Sequence, residues 1–154
     1  MLREFLRYWN PVVEPIPGPR QSGALPYTVI DGRVVFLLVT SRRTGRWIFP
    51  KGSISTGMTA WDSAAKEAFE EAGVVGEIGS EAVGTYQNTD KGLLVDIDLY
   101  PLKVSEQLDN WDEMDQRLRH WVLLAEARRL LADRSLVRIA ETLHRQLTSQ
   151  RVMQ

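Results

Sequence analysis

Three carboxylates crowd the end of a helix where electrostatics least favours them. In the stretch Gly52 to Val74, GSISTGMTAWDSAAKEAFEEAGV, Glu67, Glu70 and Glu71 fall at the C-terminal end of an expected helix, with Lys66 beside them. The helix dipole is negative there, and like charges four residues apart add about 0.2–0.5 kcal/mol of repulsion per pair. A solvated face tolerates penalties of that size; a bound cation removes them. Stepping 100° per residue puts Glu71 roughly +40° and Glu70 roughly −60° from Glu67, so the acids share an arc of about 100°. On the other side Trp61, Ala64, Ala65, Ala68, Phe69 and Ala72 make an apolar stripe for a core. One turn back, Ala60 and Ser63 are small and leave room above the acids for a ligand.

The remaining ligand chemistry is narrow. The chain has no cysteine and two histidines, His120 and His144, which read as a strand-edge and a helix-surface residue. A metal would therefore be held by oxygen, which favours Mg²⁺ or Mn²⁺. Pro50-Lys51-Gly52 precedes the helix with a cation and a flexible backbone, and Gly57 lies just before the first turn. Strand, glycine-containing loop and helix in that order can bring backbone N–H groups and Lys51 to an anion such as phosphate.

The elements that must position these groups follow from local signals. The helix spans about Thr59 to Ala72 and stops at Gly73, with Val74 as the hydrophobic contact beyond. Before it, Ala24 to Ile30 and Val34 to Thr40 read as strands around an Asp31-Gly32 hairpin turn. The polar loop SRRTGR leads to a brief strand, Trp47 to Phe49. After the helix, Val83 to Gln87 and Leu93 to Val104 are strands separated by a turn-like Asn88 to Gly92. Ser105 to Arg117 reads as an acidic loop and Arg119 to Leu123 as the last strand, with helices over Leu124 to Ala132 and Ser135 to Thr148. Residues 1–21 are set apart as an N-terminal extension, since Pro11, Pro15, Pro17 and Pro19 forbid regular structure. Within it Leu2, Phe5, Leu6 and Trp9 suit one amphipathic turn. Residues 22–154 form one domain.

The stretch resembles the Nudix box: Gly, five residues, Glu, seven residues, then Arg-Glu-aliphatic-x-Glu-Glu-x-Gly-aliphatic. Gly52, Glu67, Ala68, Glu70, Glu71, Gly73 and Val74 fit in register over 23 residues. Two positions depart. Met58 stands where the family has its first Glu, and Lys66 replaces the bracing Arg, keeping the charge but losing the planar fork; it can still pair with Glu70. The resemblance implies an α/β fold, a Nudix-type α/β/α sandwich with a mixed central sheet. It also implies a metal-dependent pyrophosphohydrolase in which Glu67, Glu70 and Glu71 hold Mg²⁺ or Mn²⁺. One of these acids, or one from the loop after Val104, takes the proton of the attacking water; of Glu106, Asp109, Asp112, Glu113 and Asp115, Glu113 is preferred.

Segments SRRTGRWIFPKG and GTYQNTDKGLLVDIDLYPLKV are similar to the branch containing diphosphoinositol and diadenosine polyphosphate hydrolases. Arg42, Arg43, Arg46, Lys51 and Gly52 are then the phosphate-binding set, with Lys91 a possible addition. The competing reading of each Arg is a solvated turn residue. Trp47 and Trp121 read as packing residues, and Trp111 sits in a polar loop where it either packs or covers substrate.

A net charge of −1 on a chain that is 25% charged argues against general nucleic-acid binding, and no apolar run suits a membrane span. The N-terminus lacks a secretory pattern, so a cytoplasmic monomer or homodimer acting on a small-molecule pyrophosphate is expected. The alternative is a binding module that recognises a nucleotide or inositol phosphate without cleaving it, motivated by Met58 and Lys66.

Overall fold

The computed structural model describes residues 18–152; the amphipathic turn expected at Leu2 to Trp9 lies outside them. Its centre is strand β1 (Gln21–Ile30), which pairs antiparallel with β2 (Arg33–Thr40) through Tyr27 to Ile30 and with β4 (Lys51–Ser53) through Gln21 to Gly23. On its other flank it runs parallel to the long β7 (Leu93–Gln107). Pro26 sits in this central strand without penalty. On the β2/β4 flank β1 has no pairing strand between Gly23 and Tyr27, and the Ala24 N–H on that flank goes to Pro50 O at 3.0 Å. The missing N–H of Pro26, two residues on, faces the same gap.

The other strands are β3 (Trp47–Ile48) and β8 (Arg119–Leu123) on β2, and β5 (Val74–Ile78) and β6 (Gly84–Asp90) on β7. One parallel pair among antiparallel ones makes the sheet mixed, as expected. Helix α1 (Ala60–Ala72) covers one face; α2 (Leu124–Leu130) and α3 (Arg134–Val152) belong to the other. Under α1 the core is Ala24, Leu37, Val39, Val74 and Leu102 against Ala64, Ala68 and Ala72. Small alanines bring the helix axis close to the sheet. The larger core on the other face joins Leu25, Phe36, Phe49, Ile97 and Leu99 to Leu136, Ile139, Ala140 and Leu143 of α3. No helix among the described residues is long and apolar enough to cross a membrane.

Several boundaries shift from expectation for local reasons. Strand β1 starts at Gln21, and the Gly18 N–H already donates to Leu94 O at 2.7 Å, so the packed body begins before Ser22. The Asn88–Gly92 turn shrinks to Lys91-Gly92, whose φ values of 51° and 79° make the two-residue hairpin turn that lets β6 run to Asp90. Strand β7 continues to Gln107 because β5, which was not anticipated, pairs with it. Strand β4 was not anticipated either. The apolar stripe of α1 is narrower than expected, with Phe69 exposed.

Helix α1 ends as its sequence dictates. Thr59 caps the start by accepting from the Asp62 N–H at 3.1 Å, and Gly73 ends it at φ 65°, its N–H donating to Phe69 O at 3.1 Å. A Cβ on Gly73 would lie 2.8 Å from Trp111 and 2.9 Å from Arg119. Gly45 has a similar φ, 73°, but open space around it. Left-handed strain alone costs a non-glycine residue about 1–2 kcal/mol. Urea denaturation should therefore show Gly45→Ala losing about 1 kcal/mol and Gly73→Ala clearly more than about 2 kcal/mol. Equal losses would show that contact with Trp111 and Arg119 carries no weight.

Candidate active site

The C-terminal end of α1 would leave its last carbonyls without partners, and three acid side chains add to that negative end. The segment from Leu108 to Arg119 supplies donors one after another. Glu70 O accepts from the Glu113 N–H at 3.1 Å and Gly73 O from the Leu108 N–H at 2.8 Å. Glu71 O accepts from Trp111 Nε1 and Ala72 O from Arg119 Nη1, each at 3.0 Å. The Arg119 guanidinium stacks on Trp111, 3.8 Å from the ring centroid. Trp111 thus packs on the helix end and does not line the cavity described below. Trp121 is half-buried and donates to Gln107 Oε1 at 2.7 Å. His120 is exposed at the sheet margin, 3.1 Å from Glu126, and His144 lies on α3 next to Thr148.

The acids are held from the opposite side by β4. The Lys51 N–H donates to Glu71 Oε2 at 3.2 Å, and Glu71 is only 5% exposed. Gly52 is the residue on which Glu67 rests: a Cβ there would lie 2.4 Å from the Glu67 carboxyl carbon. Any other residue would push that carboxylate away. Lys66 Nζ reaches Glu70 at 3.3 Å and Ser55 Oγ at 3.4 Å, the pairing expected of it. The space expected above the acids at Ser63 is filled by the chain itself, because the buried Ser63 hydroxyl accepts from the Ser55 N–H at 3.0 Å. The opening lies to the side, toward β4 and the loop after β2.

Arg117 is the functional residue that sequence reading missed. Its buried guanidinium reaches Glu71 Oε1 at 3.1 Å and Glu113 Oε1 at 3.1 Å, and donates to Thr40 O at 2.9 Å. It bridges two acids as Lys66 cannot, from a position 46 residues after Glu71. Only its place as a lone cation after Asp112, Glu113 and Asp115 signals this.

A cavity of about 860 Å³ opens beside the acids. Glu67, Glu70, Glu71 and Glu113 line it, as do Arg42, Arg43, Arg46, Lys51, Gly52 and Lys91. All the residues named for the site therefore share one cavity, and of the five loop acids only Glu113 reaches it. Arg42 is tied to the same network, 3.4 Å from Glu113 and 2.8 Å from Gln116, while Arg43 and Arg46 are exposed. Trp47 both packs on the core and lines the cavity.

Burial dominates the acids' electrostatics. It pushes the Glu71 carboxyl up to about 7, against the opposing pull of Arg117, with Glu67 and Glu113 adding to the rise. Glu67 is also raised, first by burial and then by Glu70. Among the described residues no three acids or histidines stand as a preformed metal cluster: Glu70 is turned to Lys66 and Glu71 to Arg117. The donor chemistry nevertheless fits a hard divalent cation. The groups are all oxygens, Gly52 leaves the cradle that seats Glu67, and partly desolvated carboxylates gain most from added positive charge.

Comparison with known proteins is consistent in both sequence and fold. The model described as NUDIX domain matches residues 20–144. Nudix hydrolase 4 of Arabidopsis thaliana is 34% identical over 116 residues, covering 69% of this chain and 56% of that protein. Diphosphoinositol polyphosphate phosphohydrolase 2 of Rattus norvegicus is 33% identical over 99 residues, covering 63% of this chain and 54% of that protein. The match thus spans little more than half the length of these curated relatives. The crystal structure of C. elegans Ap4A hydrolase superposes with a TM-score of 0.65 at 22% identity, covering 84% of this chain and 98% of that one.

The raised Glu71 carboxyl sets a pH dependence of stability. Its pKa is above the ordinary 4.5, so between 4.5 and about 7 the folded state holds a proton that the unfolded state releases. The stability this contributes is complete below the unfolded value and is lost as pH rises through the folded one. In EDTA, the Tm of wild type minus that of Glu71→Gln should therefore fall from pH 5 to pH 8. A difference that is constant or rises over that range would show that Glu71 is not held in this way.

Proposed function

The chain belongs to the Nudix family, and from that premise we propose that it is a metal-dependent pyrophosphohydrolase. The observation that carries this reading is the shared cavity, lined both by acids of α1 and Glu113 and by Arg42, Arg43, Arg46 and Lys51. A phosphoric anhydride needs both: cations for the phosphate oxygens that do not react and carboxylates around the phosphorus that does. The substrate class is a nucleoside diphosphate linked to another moiety, or a phosphate-rich pyrophosphate like those named for the rat and C. elegans relatives.

Glu67, Glu70 and Glu71 would hold Mg²⁺ or Mn²⁺. Bound there, such a cation supplies charge neutralisation on phosphoryl oxygens and activation of water. The protein's own groups do the rest. The Arg42 to Arg46 loop and Lys51 grip and orient the phosphates. Gly52 keeps the Glu67 carboxylate against β4, and Arg117 keeps Glu71 and Glu113 at a fixed separation. Glu113 accepts the proton of the attacking water as the new P–O bond forms, and the bridging P–O bond breaks with its electrons passing to the leaving phosphate.

A second reading, a module that binds without cleaving, is favoured by one observation. Met58, where the motif has an acid, is 37% exposed and offers no oxygen ligand. The two readings separate on a panel of nucleotide, dinucleotide and inositol pyrophosphates with Mg²⁺ or Mn²⁺. Turnover is expected on at least one compound, and Glu70→Gln or Glu71→Gln should reduce it by more than about 100-fold, the upper scale on which mere outer partners of a metal act. Binding without turnover across the panel would select the module instead.

A further inference from the structure

The cavity has a wall that the phosphate chemistry does not use. Sheet register sets Gln21 of β1 and Tyr86 of β6 on either side of Ile97 in β7, so all three side chains share one sheet face. Gln21 is 7% and Tyr86 5% exposed, and both line the cavity with Asp90 and Asp133. Two of their polar atoms, Gln21 Oε1 and the Tyr86 hydroxyl, are buried without a partner among the described residues. Buried polar atoms are ordinarily satisfied, so a matched pair of exceptions at one cavity calls for a partner beyond the described residues.

The chemistry of that partner follows from what the wall offers. Gln21 Nε2 donates to Asp90 Oδ2 at 3.0 Å, which fixes the amide with its oxygen as the free end. Burial, with Asp133 and Glu71 nearby, pushes the Tyr86 pKa up, so the phenol stays neutral. Gln21, Tyr86, Asp90 and Asp133 together offer an amide oxygen, a phenol and two carboxylates, so among these four the acceptors outnumber the one free donor. A phosphate, which only accepts at neutral pH, meets the wrong complement there. An uncharged group bearing N–H or O–H donors meets the right one.

We infer that Gln21 and Tyr86 form a recognition subsite for the nucleoside half of the substrate, reading its hydroxyl or amino donors while the arginine loop takes the phosphates. The inference rests on the hydrolase reading for its substrate class, but binding tests it without turnover. Titration calorimetry of the intact chain without divalent cation compares inorganic pyrophosphate, ADP, IDP and 2′,3′-dideoxy-ADP, on wild type, Tyr86→Phe and Gln21→Met. Wild type should bind ADP more tightly than pyrophosphate. Each variant should weaken ADP about 3- to 10-fold, the worth of one hydrogen bond, and leave pyrophosphate within about twofold. If the amine is read, IDP loses affinity for wild type; if the ribose hydroxyls are read, the dideoxy compound does. Tyr86→Phe keeps the ring and its packing, so it carries the test if Gln21→Met lowers the melting point. Equal weakening of pyrophosphate and ADP, no change in either, or no preference for ADP in wild type would each overturn the subsite. Absence of turnover with the preference intact would instead count against the hydrolase reading alone.

Discussion

The C-terminal end of α1 is the constraint on which the structure turns. A helix end carries unpaired carbonyls and a partial negative charge, and here it also carries three glutamates. Left in water, that end is merely unfavourable; placed beside a cavity, it must be neutralised by something. The chain does this with the segment Leu108 to Arg119, which gives donors to the carbonyls of Glu70, Glu71, Ala72 and Gly73. The same wrapping brings Arg117 and Glu113 to the cavity. The loop's path and the site's composition are thus one solution to one electrostatic problem.

Arg117 shows how a departure inside a motif is met by a residue outside it. Lys66 is a point charge that reaches Glu70 and Ser55 and no further. Glu71, the most buried of the acids, instead faces the guanidinium fork of Arg117, which also holds Glu113 and Thr40 O. A buried carboxylate set this way is stable only while its partner stays. No such substitute is seen for Met58, which remains exposed and apolar.

Legibility in the sequence followed the range of the interactions. Helix α1 was readable to its caps because Thr59 and Gly73 act on their own neighbours, and the Asp31-Gly32 turn was readable for the same reason. Strands β4 and β5 were not, being three and five residues long with a glycine in each; their pairing with β1 and β7 is what makes them strands. The acid face and the arginine loop were visible as residue types at set spacings. Arg117 was not, since its partners lie 46 and 77 positions away at Glu71 and Thr40. Gln21 and Tyr86 were also invisible: only the register of three strands puts them on the same sheet face, flanking Ile97.

The claim that Arg117 holds the acid face through Glu71 is tested most directly by a double-mutant cycle on folding stability at pH 8, using Arg117→Met, Glu71→Gln and both together. Arg117→Met alone should cost about 3 kcal/mol or more, because it strands buried carboxylates, and adding Glu71→Gln should recover at least about 1 kcal/mol of that loss. Costs that simply add to within about 0.5 kcal/mol would contradict the account, since they would mean that the two groups do not depend on each other.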